Sequence, residues 1–158
     1  MPHPRWEELE RLVHYGRDSA AVLGLVSLDE VADAWCSYHS REHPPGDEGL
    51  DDPDSWALEF WQMRDVEDNP SLERDFVEAL LRRAGSDPRL CGAIGAGPLE
   101  DLLPQADGDF LWLERLAAEL PGTRIAVGTM WVDEWLDANQ MARLDRIAGR
   151  LLARSRRE

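Results

Sequence analysis

His39 and His43 stand four residues apart, the spacing at which two imidazoles share a helical face and hold one metal ion. Pro44 and Pro45 follow at once, so the helix that would align the pair ends by His43. No third ligand of the HExxH kind stands nearby. Cys36 precedes His39 by one helical turn, as a thiol–imidazole pair would require. It also flanks Trp35, which reads as core, and a core thiol behaves as a small hydrophobe. There is no Gly-x-Ser-x-Gly elbow. The acids Glu42, Asp47, Glu48, Asp51, Asp52 and Asp54 lack the alternating order and distal Glu of a calcium loop, and read as a solvated loop. The sequence therefore assigns no catalytic residue, no metal and no cofactor.

The distinctive stretch is Leu90-Cys91-Gly92-Ala93-Ile94-Gly95-Ala96-Gly97-Pro98-Leu99-Glu100-Asp101-Leu102-Leu103. Its glycine order is wrong for a dinucleotide loop, and no strand precedes it. Its chemistry is that of a helix start. Gly97 serves as the cap, Pro98 as the first helical residue, and Glu100 at the third position favours the helix dipole. Leu99, Leu102 and Leu103 then share a face, which places Asp101 opposite and Glu100 at the edge. Gly92 and Gly95 permit close backbone packing or positive φ. The stretch supports two readings, a structural helix start or a binding surface. The candidate motif is Gly95, Gly97, Pro98, Glu100 and Asp101.

The run Gly95-Ala96-Gly97-Pro98-Leu99-Glu100-Asp101-Leu102-Leu103 resembles the signature of a domain-of-unknown-function family of small proteins found in soil bacteria and actinobacteria. A helix carrying Trp35, and Trp131 placed after a helix beginning near Asp109, agree with it. The resemblance spans about residues 27–135, leaving an N-terminal extension over 1–26 and a basic helix and tail over 138–158. It implies a small helical bacterial protein and brings no activity with it.

The elements that would carry these residues are helices. Apolar residues recur at helical spacing along most of the chain. Trp6, Leu9, Leu12 and Val13 form a stripe behind Pro4. Ser27 and Glu30 form a capping box ahead of a face made by Leu28, Val31, Ala32, Trp35 and Tyr38. Asp52-Pro53, Asn69-Pro70 and Asp87-Pro88 repeat one signal, a capping side chain followed by Pro at the first helical position. The first of these helices buries Trp56, Phe60 and Met63. The second buries Leu72, Phe76, Ala79 and Leu80 and stops at Gly85. A further helix over about 109–120 turns Phe110, Leu113, Leu116 and Ala117 inward and ends at Pro121-Gly122. The last, over about 138–153, buries Met141, Leu144, Ile147, Ala148 and Leu151 and turns its arginines outward. Only Ile125-Ala126-Val127 suits a strand, and a lone strand has no partner. The fold class is all-α, a single-domain bundle of about six to eight short, largely antiparallel helices over 1–158.

Composition narrows the function. All 17 cations are Arg, as a GC-rich bacterial genome would produce, and none is Lys. P-loop, protein-kinase and pyridoxal chemistries, which require Lys, are excluded. A net charge of −15 argues against direct binding to a nucleic-acid backbone. Arg143, Arg146, Arg150, Arg154, Arg156 and Arg157 crowd the C-terminal end, which leaves the rest more acidic still and keeps head-to-tail self-association open. The longest apolar run, 20–26, is too short to span a bilayer, and the first residues have no signal-peptide pattern. Two unpatterned cysteines fit a reduced cytoplasmic location. Seven Trp exceed what a core needs, which leaves two readings: an unusually large core, or one or two Trp on a surface, where Trp beside acids makes a binding hot spot. The reading is a small acidic, non-catalytic protein-binding module, immunity- or antitoxin-like, for a basic toxin-like partner. The alternatives are a small enzyme using the region from Gly92 to Asp101, or a purely structural module.

Overall fold

The computed structural model describes residues 4–16, 18–44, 49, 51–102, 107–131 and 136–149. It is all-α: 75% of it is helical, with no strand among the described residues. None of the described helices is long and apolar enough to cross a membrane. The chain divides into two compact units, Met1–Arg83 and Ala84–Glu158.

In the first unit α1 (Trp6–Arg11) runs into a π-helical turn (Leu12–Gly16), followed by α2 (Ser19–Leu23). Of the predicted stripe, Leu9 and Val13 are buried while Trp6 and Leu12 are half-buried. The Asp18 carboxylate caps α2 by accepting from the amides of Ala20 and Ala21. The capping box forms as read: the Ser27 amide donates to Glu30 Oε2 (2.6 Å) and the Glu30 amide to Ser27 Oγ (3.1 Å), launching α3 (Leu28–Ser40). Val31, Ala32, Trp35 and Tyr38 are buried along it.

Trp56 and Phe60 of α4 (Trp56–Phe60) and the following Met63 are also buried. Asp52-Pro53, however, does not start this helix. Residues 51–55 form turns, and Ser55 precedes α4 without a side-chain cap. The short α5 (Arg64–Glu67) leads to α6 (Pro70–Ala84), where Asn69 Oδ1 accepts from the Leu72 amide (3.2 Å). Phe76, Ala79 and Leu80 are buried, and Phe76 meets Phe60 edge-on at 5.4 Å. Gly85, at φ 59°, stops α6 in the left-handed conformation where glycine carries no Cβ penalty.

In the second unit Asp87 caps α7 (Pro88–Ile94), its carboxylate accepting from the amides of Arg89 and Leu90. Helical backbone then continues through a π-helical turn (Gly95–Leu99) into α8 (Glu100–Leu102). The helix start predicted at Gly97-Pro98 is thus corrected: Gly97 caps nothing, and Pro98 is buried inside the helical run. Proline lacks an amide and its ring collides with the carbonyl four residues back in α geometry. One wider turn accommodates it without ending the helix.

Phe110, Leu113 and Leu116 line the buried side of α9 (Asp107–Glu119), with Ala117 half-buried. Pro121-Gly122 both ends α9 and opens α10 (Gly122–Thr129), so Ile125-Ala126-Val127 lies in a helix and not a strand. The last helix, α11 (Ala138–Ala148), has a capping box of its own, Asp137 with Gln140. It ends earlier than predicted because Gly149 takes φ 71° at its C-cap. Leu144 and Ile147 are buried; Leu151, Leu103, Trp135 and the arginines from Arg150 onward lie outside the described residues.

Candidate functional site

The candidate motif separates into a packing half and a surface half. α10 lies across the run from Gly92 to Leu99, and the crossing admits no side chain at Gly95. A Cβ there would collide with the Ala126 carbonyl oxygen and Thr129 Oγ1, and would lie 2.7 Å from the Ala126 carbonyl carbon. The single proton of the Thr129 hydroxyl is shared between the Ala126 carbonyl of its own helix (2.8 Å) and the Gly92 carbonyl across the crossing (3.2 Å), and the second contact links the helices. Gly122 repeats the device: a Cβ would meet the Gly85 carbonyl oxygen and sit 2.7 Å from Cys91 Sγ. Gly95, Pro98 and Leu99 are buried and Gly97 is half-buried, so these residues build the core. Burial, and secondarily the Asp87 charge, push the Cys91 thiol upward, which keeps it protonated and inert.

Glu100 and Asp101 lie well beyond the first turn from the Asp87 cap, where the N-terminal dipole no longer acts. The dipole role read for Glu100 is therefore corrected. Its carboxylate instead accepts from the backbone amide of Trp131 (2.9 Å). Asp101 is exposed, and Trp131 is 60% exposed. The structure thus brings together Glu100 and Trp131, two residues that the sequence lists far apart. Of the other tryptophans, Trp35 and Trp56 are fully buried, while Trp6, Trp61 and Trp112 are half-buried.

No family model, no curated protein and no solved structure matches this chain. Functional reading rests on the geometry.

Sequence reasoning missed two ionic clusters, both in the first unit. Arg41 grips Asp52 with both prongs of its guanidinium, Nε to Oδ2 at 2.8 Å and the terminal nitrogen to Oδ1 at 2.7 Å, and also reaches Asp54. Asp52 Oδ1 accepts from the Asp54 amide (2.9 Å), and His43 Nε2 lies 3.2 Å from Oδ2. Burial raises the Asp52 pKa, but the bonds from Arg41, the Asp54 amide and His43 together outweigh it and leave the pKa lowered. His43 also stacks on Tyr38 at 4.3 Å, while His39 lies against Trp35 at 3.9 Å. The two imidazoles read as a possible ligand pair thus go to different partners. The only sequence signal for this network is Asp52 and Asp54 two apart, which proline and glycine around them disguise as a plain loop.

The second cluster lies on the π-helical turn Leu12–Gly16. His14 Nδ1 is 3.1 Å from Glu59 Oε2, and its Nε2 is 3.8 Å from Glu10 Oε1. His14 and Glu59 border a shallow cleft floored by Val13 and Met63. Tyr15 beside it is 86% exposed.

Proposed function

We propose that this protein is a non-catalytic binding module whose surface at Glu100, Asp101 and Trp131 receives a basic, toxin-like protein partner. The observation that carries the reading is Trp131, 60% exposed while its backbone amide is held by Glu100. A large exposed aromatic carried on backbone that is already tethered leaves only its side-chain rotamers to be ordered when a partner covers it, which suits an interface anchor. Asp101 on the same helical run supplies the negative charge that a cationic partner would meet, and the net charge of −15 would steer that partner inward.

The test is titration of the purified chain with the product of a neighbouring reading frame in its source genome. Tight binding, weakened about tenfold or more by Trp131→Ala with unchanged circular dichroism and melting, is the expected result. Binding that is indifferent to both Trp131→Ala and Asp101→Ala would remove this surface from consideration.

A further inference from the structure

A cleft of about 250 Å³ in the second unit is lined by Arg124 of α10, Arg143 and Arg146 of α11, and Glu114 of α9. Its apolar wall is made by Ala117, Ala118 and Ile147. The lining holds three arginines and one glutamate, a local excess of positive charge inside a chain of net charge −15. Arg143 is committed: its Nε and one terminal nitrogen donate to Glu114 at 2.8 and 3.0 Å, and its guanidinium carbon lies 5.1 Å from the centre of the Phe110 ring. That clamp holds the Arg143 guanidinium plane in place at the edge of the cleft. Arg124 and Arg146 are exposed, and neither forms an ion pair among the described residues.

Arg124 is also placed against the local field. It sits in the first turn of α10, at the positive end of the helix dipole, where a cation is disfavoured and an anion welcome. Two further guanidiniums beside it add to the repulsion. An anion in the cleft would neutralise all of these terms at once.

We propose that this cleft binds a small phosphoryl-bearing anion through Arg124, Arg143 and Arg146. Three arginines against the one carboxylate of Glu114, whose charge both Arg143 and Arg146 stabilise, leave the lining with an excess of two positive charges. That excess matches a dianion better than a single carboxylate, and planar forks suit phosphoryl oxygens. The volume falls short of the roughly 300 Å³ at which pockets begin to enclose drug-sized ligands, so the ligand is free phosphate or a small monoester whose body lies along the alanine wall. The site shares no residue with the Trp131 surface, and stands or falls separately from it.

Calorimetric titration with inorganic phosphate and with phenyl phosphate, against sodium chloride at matched ionic strength, tests the assignment. Saturable one-to-one binding of either phosphate probe, weakened at least tenfold by Arg124→Gln and by Arg146→Gln but not by Arg89→Gln, is the expected result. Tighter phenyl phosphate identifies a monoester as the ligand class, and tighter inorganic phosphate identifies the free ion. Binding matched by chloride, absent for both probes, or lost equally in Arg89→Gln overturns the proposal. Both cleft arginines are exposed, and unchanged circular dichroism of each variant confirms that lost binding is not lost folding.

Discussion

The crossing of α7 and its π-helical turn with α10, and the Arg41–Asp52 network, each fasten a segment whose role the local sequence leaves open. They do so by opposite means. At the crossing the backbone of one helix occupies the space where a side chain on the other would stand. The selection there is steric and indifferent to pH and salt. In the Arg41 network the selection is electrostatic: Asp52 is 8% exposed and Arg41 is 44% exposed, so the pair is half immersed in solvent. Shape fixes the interior absolutely, whereas charge fixes a surface loop only while its groups remain ionised.

The sharpest way to break this comparison is at Gly95. Gly95→Ala places a Cβ against helix backbone that cannot swing aside, and the expected loss is about 3 kcal/mol or failure to fold, read by denaturant unfolding. Gly92→Ala, one turn earlier, meets only Thr129 Cγ2 at 3.7 Å, an ordinary contact. There the helix propensity of Ala over Gly should leave stability unchanged or raised by up to about 1 kcal/mol. Equal losses at both glycines would show that the crossing is not sterically selective.

The Arg41 network should respond next, and to acid. The lowered Asp52 pKa means that the network stabilises the fold above the ordinary carboxylate value of about 3.9. That contribution is lost as pH falls through the lower folded-state value. Asp52→Asn should cost about 1.5–3 kcal/mol near neutral pH, the range for a hydrogen bond to a charged group. It should also flatten the acid limb of a melting-temperature profile. A variant that melts with the same acid dependence as the parent chain would show that Asp52 contributes nothing there.

The smallest effects belong at the surface. Trp131→Ala and Asp101→Ala should each change stability by no more than about 0.5 kcal/mol, because both side chains are exposed and the Glu100 bond reaches backbone rather than the indole. A melting drop of several degrees for either would show that this surface is packed in the chain itself and not reserved for a partner.

Much of this architecture was written in local chemistry. Ser27 with Glu30, Asn69, and Asp87 start helices as their side chains dictate, because a cap needs only an oxygen within reach of nearby amides. The stripes through Trp35, Phe76 and Phe110 read as core because burial repeats with the helical period. Asp101 could be placed outward from the leucines around it for the same reason. Asp52 carried the same capping signal as Asn69, yet it was drawn away by Arg41, a competitor eleven residues earlier. Local propensity cannot weigh a distant guanidinium that grips with both prongs.

The sequence by itself determined the all-α class, most helix starts and which faces turn inward, since each depends on contacts within a few residues. Tertiary structure alone decided that Pro98 lies within a helix, that Ile125-Ala126-Val127 is helical, that Gly95 must lack a side chain, and that Glu100 meets Trp131. Those outcomes depend on α10 lying against a segment some thirty residues earlier, where the fit between two backbones outweighs what either sequence prefers alone.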